Sequence, residues 1–540
     1  MEATKSPKIL VCDSIAPEGV EKLREAGEVE VKTGLKGDDL IAACSGVDAI
    51  VVRSATKITA DVIRAAEHLK IIGRAGVGVD NIDVRVASER GVVVVNSPEG
   101  NTRAAAEHAV ALMLALTRSV PEGDARMRRQ EWKRNDLLGN EVRGKTLGLI
   151  GLGKVGTQVA IMARGLGMKL LAYDLALSQE RCVQLHTEPV TLEQILTDSD
   201  YITIHVPLTD TTRGMIGTRE LSLVKPGCRI INSSRGGIID EAALAAALAE
   251  GRVAGAAVDV YEGEPEPWDS PLITAPRTVL TPHLGASTTE AQIGAAVDVA
   301  EQIVDVLKGL PPRSAVNLPF VEPETLLQLR PWLNLAERIG LMASHLAQRG
   351  LRTVRVTYSG AIASHDCSLA TRHLLVGLLR RVMGPHLNEV NAPMFAAERG
   401  VDVAEVKHAE HPIYHSHIKA EIICDESVSE LEGALRGRSE PRIVRIDQFR
   451  LDVRPEGTLL MVISSDQPGV IGQVGQVLGA HNINICQMHV GSSPSEGIQM
   501  MVLNLDKSLP DGARSDLEGL GLLRAIHAVE LPPATQEEAG

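Results

Sequence analysis

Short apolar runs alternate with helical patterns along the first hundred residues of the chain. The runs KILVCD, VEVKTG, AIVVRS, LKIIGRAG and GVVVVNSP are strand-like, and residues 17–26 carry a helical pattern between the first two. Alternation of strands and helices is typical of a parallel sheet with helices on both faces. The first module is therefore predicted to be a doubly wound α/β unit.

The pattern changes over residues 101–119, where Ala, Val, Leu and Met follow one another after a candidate helix cap at Asn101 or Thr102. A helix that is apolar on every side is normally a buried one. We interpret this segment as a crossover to a second α/β module that begins at Lys145.

The second module repeats the alternation through the runs KTLGLI, KLLAYD, YITIHVP, RIINSS, VAGAAVDV and TVLTPHLG. Strands of this number complete a doubly wound parallel sheet. A helix over residues 288–307 is long enough to return the chain to the first module. The pattern predicts a discontinuous domain of residues 1–98 and 286–316, whose cleft faces a second domain of residues 99–285.

The Pro-marked segment LPPRSAVNLPFVEPE separates these modules from the rest of the chain. Beyond it, helices near residues 323–349 and 369–381 and several strands predict an α+β domain of residues 317–454. From Gly457 the order is strand, helix, strand, strand, helix, strand, which is a compact βαββαβ unit. We assign this unit to residues 455–540.

Composition narrows the possible partners. The 540 residues carry a formal net charge of −14, and only three Trp, five Tyr and three Phe are present. Acidity disfavours nonspecific binding to nucleic acid or to an anionic membrane, and so few aromatic rings give no platform for stacking bases. We expect neither nucleic acid nor a membrane as a partner.

Several features predict a cytoplasmic protein. The densest apolar run, residues 109–116, is much shorter than the roughly 20 residues that a membrane span needs, and the N-terminus has no apolar signal core. The seven cysteines lie far apart and form no CxxC pair, which fits a reducing compartment.

The clearest motif is GLGKVG, with Gly151, Gly153 and Gly156 directly after a predicted strand and at the start of a helix. Glycines at this spacing allow a tight turn, close approach of a pyrophosphate and close helix–strand packing. Asp174 ends the next strand, where a carboxylate accepts hydrogen bonds from a ribose and repels a 2′-phosphate. The motif predicts NAD rather than NADP, although chance, simple packing and a solvated strand end remain the alternatives.

Three polar residues follow later strands of the same predicted sheet: Arg235 in NSSRGG, Glu264 in YEGEP and His283 in TPHLG. Each alone has an ordinary explanation as a solvated charge or a satisfied polar group. Together they supply a group that titrates near neutral pH, a carboxylate to orient it and a fixed cation for an acid substrate. These are the requirements of hydride transfer at a hydroxy acid.

With NSSRGGIID, DVYEGEP and PHLGAST after GLGKVG and Asp174, residues 8–315 resemble the NAD-dependent D-2-hydroxyacid dehydrogenase family. The segments VRSATKITAD, GRAGVGVDNID and NSPEGNTRAAAEHA and the C-terminal extension are similar to the long form of that family, which adds an intervening domain and an ACT domain. The resemblance implies oxidation of 3-phospho-D-glycerate to 3-phosphooxypyruvate, the first step of L-serine biosynthesis.

Two alternatives stay open. A glyoxylate or hydroxypyruvate reductase, or another 2-hydroxyacid dehydrogenase, would share the first 315 residues but lack the C-terminal domains. A corepressor-like NAD-sensing protein would keep the fold and act through partners, but members of that class lack an ACT tail.

The resemblance also implies residue roles. His283 would be the general acid/base, Glu264 would hold its other ring nitrogen, and Arg235 would pair with the substrate carboxylate. The substrate contacts implied by the family are Arg53, Arg74, Gly78, Asn101 and Arg134. Arg134 matches a position that reaches the neighbouring subunit's site, and the alternative is a solvated helical face that it shares with Arg126, Arg128, Arg129 and Lys133.

The implied NAD contacts extend from the glycine turn to later strand ends. They are Gly151, Gly153, Lys154, Val155, Gly156, Asp174, His205, Val206, Pro207, Ser233, Ser234, Asp259, Val77 and Gly285. Val77 stands where many relatives have Thr, so only a backbone contact is expected there.

In the tail, Asp466-Gln-Pro-Gly and Asn482 resemble the effector site of an ACT domain, where an amino acid binds between paired domains. The candidate effector is L-serine, bound by Asp466 and Asn482. Ser464 departs from the larger polar residue of serine-inhibited relatives, and a role in assembly alone is the alternative. The family resemblance suggests a homodimer or homotetramer.

A histidine cluster, KHAEHPIYHSHIK, is left over, with His408, His411, His415 and His417. Alternation predicts His415 and His417 on one face of a strand, where they could hold a metal. The proposed chemistry needs none, so we expect no metal and interpret the cluster as a surface segment.

Overall fold

The computed structural model describes residues 6–175, 178–347, 349–384 and 386–533. Four sheets follow one another along the chain, and the predicted fold class is confirmed. Two doubly wound parallel α/β sheets are followed by an α+β domain and a βαββαβ domain.

The first sheet is parallel and has the strand order β2-β1-β3-β4-β5. Its elements are β1 Lys8–Val11, α1 Pro17–Leu23, β2 Glu28–Val31, α2 Gly37–Cys44, β3 Ala49–Val52, α3 Ala60–Ala65, β4 Ile71–Arg74, α4 Val84–Glu89 and β5 Val93–Asn96. The strand order reverses between β1 and β3. Ligands of open α/β sheets bind at such a point, so the loops after these two strands line a cleft.

Two helices connect the first sheet to the second: α5 Thr102–Thr117 and α6 Val120–Arg128. One face of α5 is buried, including Ala106, Leu112 and Met113, but Arg103 and Glu107 form an exposed ion pair on the other. The prediction of burial on all sides is therefore wrong for this chain. The polar positions Arg103 and Glu107 interrupt the apolar pattern near the start of the helix.

The second sheet has seven parallel strands in the order β12-β11-β10-β9-β6-β7-β8. The strands are β6 Thr146–Ile150, β7 Lys169–Tyr173, β8 Glu188–Pro189, β9 Tyr201–Ile204, β10 Arg229–Asn232, β11 Gly255–Val258 and β12 Thr278–Leu280. The helices are α7 Lys154–Gly165, α8 Gln179–Leu185, α9 Leu192–Asp198, α10 Thr218–Leu223, α11 Glu241–Ala249 and α12 Thr289–Leu307. The two-residue β8 escaped prediction because two exposed residues carry no apolar alternation.

As predicted, α12 returns to the first sheet. It packs on α1 and β4, with Val299 and Ile303 filling the space that Gly73 leaves free. Gly19 makes the matching close approach to Ala296. This return places the first sheet beside the carboxyl ends of the second, where the polar strand-end residues lie.

The α+β domain has a six-stranded sheet with the order β14-β13-β15-β16-β17-β18. Its elements are α13 Pro323–Leu346, β13 Leu351–Gly360, α14 Ser368–Met383, α15 Ala392–Glu398, β14 Asp402–His408, β15 Ser416–Cys424, β16 Val428–Arg436, β17 Glu440–Ile446 and β18 Phe449–Val453. Gly340 and Gly377 let α13 and α14 cross in close contact.

The last domain is a four-stranded sheet in the order β20-β21-β19-β22. Its elements are β19 Gly457–Ser465, α16 Val470–Ala480, β20 Ile485–Ser493, β21 Ile498–Leu505, α17 Asp511–Glu518 and β22 Leu523–Leu531. One face is covered by its own helices. The other, with Leu459, Met461 and Met500, belongs to the same buried cluster as Leu335 and Ile339 of α13.

Candidate active site

The glycine turn between β6 and α7 gives each of its three glycines a separate physical task. Gly151 has φ +94°, and a Cβ there would lie 2.6 Å from the carbonyl oxygen of His205. Gly153 is the N-cap of α7, and a Cβ built on it would meet nothing within 4 Å. Gly156 faces the carbonyl of Gly151 with no room for a side chain. The open N-terminus of α7 therefore fits a pyrophosphate.

Asp174 follows β7 and lies against this turn. Its Oδ2 accepts a hydrogen bond of 2.8 Å from the backbone N–H of Leu152. The carboxylate is thus held beside the glycine turn, where the ribose of a dinucleotide bound there would lie. The residues present therefore fit NAD.

His283 and Glu264 form the central pair of the site. Each lies in the loop after one of two neighbouring strands, β12 and β11, and His283 Nδ1 is 2.7 Å from Glu264 Oε2. Because an ionised carboxylate only accepts, Nδ1 donates and Nε2 is left for a substrate. Burial raises the pKa of Glu264, but hydrogen bonds from His283 and from the N–H of Tyr261 leave it below its ordinary value.

Arg235 follows β10, the next strand, and turns toward the first sheet. Its Nη1 donates to the carbonyl of Ser234 at 2.7 Å, and its Nε lies 3.5 Å from Asp80 Oδ2. A side chain at Gly78 would collide with the guanidinium. The loop after β4 and the loop after β10 therefore meet across the cleft.

Arg74 ends β4 and is largely buried behind this contact. Burial and the neighbouring Arg235 lower the pKa of Arg74 to about 10, so it remains charged at neutral pH. Within the described residues its buried Nε has no hydrogen-bond partner. Because a buried donor without a partner is costly, this guanidinium fits an anionic ligand.

Arg53 follows β3 on the same side of the cleft. Its backbone N–H donates to Asp13 Oδ2 at 2.6 Å, and its side chain reaches the carbonyl of Ser14 at 3.3 Å. The charge of Arg53 acts on Arg74. Arg53 after β3 and Arg74 at the end of the neighbouring β4 thus form one cationic group with Arg235, which lies across the cleft.

Of the remaining implied substrate residues, Asn101 is the N-cap of α5 without a side-chain capping bond. Arg134 is exposed on the segment after α6. Its neighbours Arg126, Arg128 and Arg129 form ion pairs with acidic residues of α6 and the segment that follows it. These three arginines therefore form a solvated face.

The implied cofactor residues Lys154 and Val77 are held by residues around α5 and β5. Lys154 Nζ pairs with Glu99 at 2.9 Å, and the carbonyl of Val77 accepts from the side chain of Asn96.

Three other residues implied as NAD contacts follow β9: His205, Val206 and Pro207. Burial lowers the pKa of His205 to about 4, so it is neutral at physiological pH.

Ser233 and Ser234 follow β10. Ser234 Oγ bonds Asn232, while the buried Oγ of Ser233 has no partner among the residues described.

Asp259 and Gly285, which the resemblance implies as NAD contacts, are hydrogen-bonded to each other in the structure. Asp259 is completely buried, and its Oδ2 accepts from the N–H of Gly285 at 2.9 Å. Oδ1 accepts from Thr281 and Leu284 and lies 3.1 Å from His108. The carboxylate of Asp259 therefore holds the loop that carries His283.

In the βαββαβ domain, Asp466 and Asn482 lie at opposite ends of α16. Asp466 precedes the turn at Gly469, and Asn482 follows the last residue of the helix. A helix of this length spans about 16 Å, so one small molecule cannot touch both residues of one chain. Their joint use would need a second copy. Ser464 is fully buried and bonded to Gln499.

The histidine cluster differs from the prediction. His415 precedes β15 and is exposed, whereas His417 lies within β15 and is 3% exposed, so the two are not a pair on one face of the strand. His417 instead stacks on His411, with ring centroids 4.3 Å apart, and lies 3.3 Å from Glu432. Among the residues that the structure describes, no group of three or more metal-ligating side chains is placed to hold a metal ion.

Three residues of this region were missed by sequence reasoning: Asp80, Asn96 and His108. Asp80 faces Arg235, Asn96 fixes Val77, and His108 contacts Asp259. Asp80 and Asn96 lie in the segments GRAGVGVDNID and NSPEGNTRAAAEHA, but the resemblance implied no role for either residue. A histidine within the apolar stretch of α5 was a usable signal, but its partner is far away in sequence.

Three family models match successive parts of the chain. The D-isomer specific 2-hydroxyacid dehydrogenase NAD-binding domain matches residues 110–285. The D-3-phosphoglycerate dehydrogenase intervening domain matches residues 328–447, and the ACT domain matches residues 458–522. The second parallel sheet, the α+β domain and the βαββαβ domain thus correspond to known domains.

Solved structures resemble the first part of the chain. The TT0316 protein from Thermus thermophilus is 34% identical, covers 57% of this chain and 99% of its own, and superposes with a TM-score of 0.54. The D-lactate dehydrogenase of Escherichia coli is 27% identical, with the same share of this chain, 99% of its own and a TM-score of 0.52.

Similarity over nearly the full chain comes from proteins named D-3-phosphoglycerate dehydrogenase. The one from Synechocystis is 45% identical over 527 residues, 97% of this chain and 95% of that protein. The one from Archaeoglobus fulgidus is 45% identical over 502 residues, 92% of this chain and 95% of that protein. With its intervening and ACT domains, the chain therefore belongs to the D-3-phosphoglycerate dehydrogenase family.

Proposed function

We propose that this protein oxidises 3-phospho-D-glycerate to 3-phosphooxypyruvate with NAD, the first step of L-serine biosynthesis. It is an NAD-dependent oxidoreductase of the D-2-hydroxyacid dehydrogenase family. One observation carries the proposal for the substrate. The His283–Glu264 pair, 2.7 Å apart, shares a cleft with three arginines, one of which has a buried nitrogen without a partner in the described part of the chain.

The residues divide the chemistry between them. His283 Nε2 takes the proton of the C2 hydroxyl, while Glu264 orients the ring through Nδ1 and favours the imidazolium that forms. Arg235 pairs with the carboxylate of the substrate in the bidentate geometry that suits a guanidinium. When bound, NAD supplies the hydride acceptor.

The phosphate of the substrate explains the two other arginines of the cleft. A carboxylate alone is satisfied by one guanidinium, whereas a phosphorylated acid carries a second anionic group with several acceptor oxygens. We assign this group to Arg74 and Arg53, at the ends of the neighbouring strands β4 and β3. Gly78 provides the space in which Arg235 and the substrate meet.

Steady-state NADH absorbance tests this proposal with 3-phosphoglycerate, glycerate and 2-hydroxyglutarate as substrates. Loss of the phosphate removes two charge-assisted contacts, so we expect kcat/KM for glycerate to be lower by a factor of about 100 or more. Equal rates with glycerate would contradict the phosphate assignment, and no NADH from any acid would contradict the enzymatic function.

Cofactor preference has its own test. A double variant combines Asp174→Ser with an arginine introduced nearby. Its cofactor preference should shift toward NADP by about tenfold or more, because the carboxylate no longer repels a 2′-phosphate. The ratio of kcat/KM for the two cofactors measures the shift. An unchanged ratio would mean that another group reads the ribose.

The finer features of the tail belong to the same proposal. L-serine is the candidate effector, and because Asp466 and Asn482 lie at opposite ends of α16, it would bind between ACT domains of two chains in a homodimer or homotetramer. Arg134 would contact the neighbouring subunit's site in that assembly. Equilibrium binding of labelled L-serine, with Asp466→Asn as the variant, tests this part.

We place the substrate domain at residues 1–98 and 286–316, the NAD domain at 99–285, the intervening domain at 317–454 and the ACT domain at 455–540. A cytoplasmic location is proposed from the cysteine usage. Within the described ranges, no helix combines the length and the apolarity needed to cross a bilayer.

A further inference from the structure

His108 lies on α5, outside the group of residues assigned to substrate or NAD, and faces the loop after β11. Its Nε2 is 3.1 Å from Asp259 Oδ1 and 3.3 Å from Thr281 Oγ1. Because the carboxylate only accepts, His108 donates to it. The contact joins a crossover helix to the sheet end that carries the proposed catalytic pair.

Asp259 in turn holds three consecutive residues of the catalytic loop. Its carbonyl accepts from the N–H of His283 at 2.9 Å, Oδ1 accepts from the N–H of Leu284 at 2.8 Å, and Oδ2 accepts from that of Gly285 at 2.9 Å. One residue thus fixes the backbone of the loop through both its main chain and its side chain.

This support is needed because His283 adopts φ +55°, the left-handed region that residues with a side chain rarely occupy. Such a conformation persists only where the surroundings determine it. Three hydrogen bonds, donated by the backbone N–H groups of residues 283–285 and accepted by Asp259, hold this backbone in place.

A buried carboxylate can do this only while its own hydrogen bonds are satisfied. Burial raises the pKa of Asp259, but bonds from His108, Thr281 and Leu284 leave it below its ordinary value, so the group is ionised at neutral pH. Thr281 and Leu284 lie in the loop after β12, whereas His108 donates from α5.

We propose that His108 is a positioning residue of the dehydrogenase: by holding Asp259, it keeps the loop of His283 in the conformation that aims the imidazole at the substrate. The proposal rests on the proposed function of His283 in proton transfer. His108 itself exchanges no proton with substrate.

The variants His108→Leu and His108→Gln separate the hydrogen bond from the volume. Leu has no donor, whereas the side-chain nitrogen of Gln reaches about as far as Nε2. Because small misplacements of a catalytic group cost up to about 100-fold, we expect kcat of His108→Leu to fall about 10- to 100-fold. The KM for the acid and the Kd for NADH should stay within about threefold, and Gln should restore most of kcat.

The double variant with His283→Ala tests whether the effect passes through His283. If His108 acts through the catalytic imidazole, adding His108→Leu to His283→Ala should lower kcat by no more than about twofold. A full multiplicative loss in the double variant would overturn the proposal, as would a Gln variant as slow as the Leu variant.

Amide hydrogen exchange gives a readout that needs no substrate. His108→Leu should speed exchange in peptides that cover residues 283–285 and leave the glycine turn, residues 151–156, unchanged. Unchanged exchange at 283–285 would contradict the proposal even if the parent enzyme oxidised no hydroxy acid, so the two failures remain distinct. Should His108→Leu not fold, Thr281→Val removes the other side-chain donor to Oδ1 and should give the same pattern, and its absence there would also contradict the proposal.

Discussion

Arg74 in the cleft, which is partly buried, and Arg338 at the junction of the intervening and ACT domains, which is fully buried, have opposite environments. Arg338 is 2% exposed, and its Nε donates to Asn334 at 2.7 Å. Its remaining nitrogens reach the carbonyls of Pro455, Pro532 and Pro533, at the two ends of the ACT domain. Arg74 keeps a buried Nε without a partner in the part of the chain that the structure describes.

We interpret Arg338 as a structural cation and Arg74 as a cation that binds an anionic ligand. The buried guanidinium of Arg338 donates to backbone oxygens instead of to water. These hydrogen bonds connect α13 to the first and the last residues of the ACT domain that the structure describes. Arg74 has burial and a neighbouring Arg235 that both oppose its charge. A site that destabilises a charge in the free protein gains from an anion that restores the balance.

The largest effect should come from the catalytic pair. His283→Ala removes proton transfer, so kcat should fall about 10²- to 10⁴-fold. The melting temperature should change little, because the side chain is 47% exposed and its loss leaves no buried group unpaired. NADH production and thermal unfolding measure both parts. An unchanged turnover would remove His283 from the mechanism.

Arg338→Met should have the opposite pattern to His283→Ala, with lower stability and nearly unchanged activity. It removes the donors to the buried carbonyl of Pro455 and to the carbonyls of Pro532 and Pro533, so the free energy of unfolding should fall by about 3 kcal/mol. The kcat/KM of the folded protein should remain within about threefold of the parent. Denaturant unfolding and steady-state kinetics test the prediction, and Arg338→Lys is the matched control that keeps the charge. Loss of activity without loss of stability would reverse the assignment.

Arg74→Met should weaken substrate binding without destabilising the fold. Loss of one charge-assisted contact lowers kcat/KM for 3-phosphoglycerate by about 10- to 100-fold. The free energy of unfolding should stay the same or rise, since a buried charge that lacks a full set of partners is removed. A large destabilisation would show that Arg74 is structural, as Arg338 is.

The smallest effect, taken over one pH unit, is a dependence of stability on pH. Burial lowers the pKa of His205 to about 4, and burial with the charges of Arg381, His527 and Arg514 lowers that of His345 to about 4. The unfolded chain takes up these protons below about 6.5, so stability should fall as the pH drops from 6.5 toward 4, by at most about 1.4 kcal/mol per pH unit for each histidine.

Two variants separate the histidines. His205→Gln in the cleft and His345→Gln at the junction should each remove part of the slope. Added salt should weaken the effect of His345 alone, because only there do neighbouring charges contribute. A slope unaffected by either variant would contradict the two assignments.

Local patterns were enough to predict much of the fold. Apolar runs marked the strands of both parallel sheets except the two-residue β8, and the glycine turn and the His283–Glu264 pair follow from residues at strand ends. Such features depend on short spacing or on the rule that parallel strands end at one edge.

The rest depends on contacts between distant residues. His108 contacts Asp259, and Arg338 donates to a carbonyl near the far end of the chain. No local sequence pattern indicates either contact. Alternation failed for His415, because it lies outside the strand that begins at Ser416. Arg74 could be predicted as a candidate, but its missing partner is visible only in three dimensions.

The most direct test compares the specificity for the phosphate, expressed as kcat/KM for 3-phosphoglycerate divided by that for glycerate, in the parent and in Arg74→Met. We expect a ratio of about 100 or more in the parent. In the variant it should fall at least tenfold, because only the phosphorylated acid loses a contact. An equal ratio in both proteins would contradict the account of the cleft as a phosphate-reading dehydrogenase site.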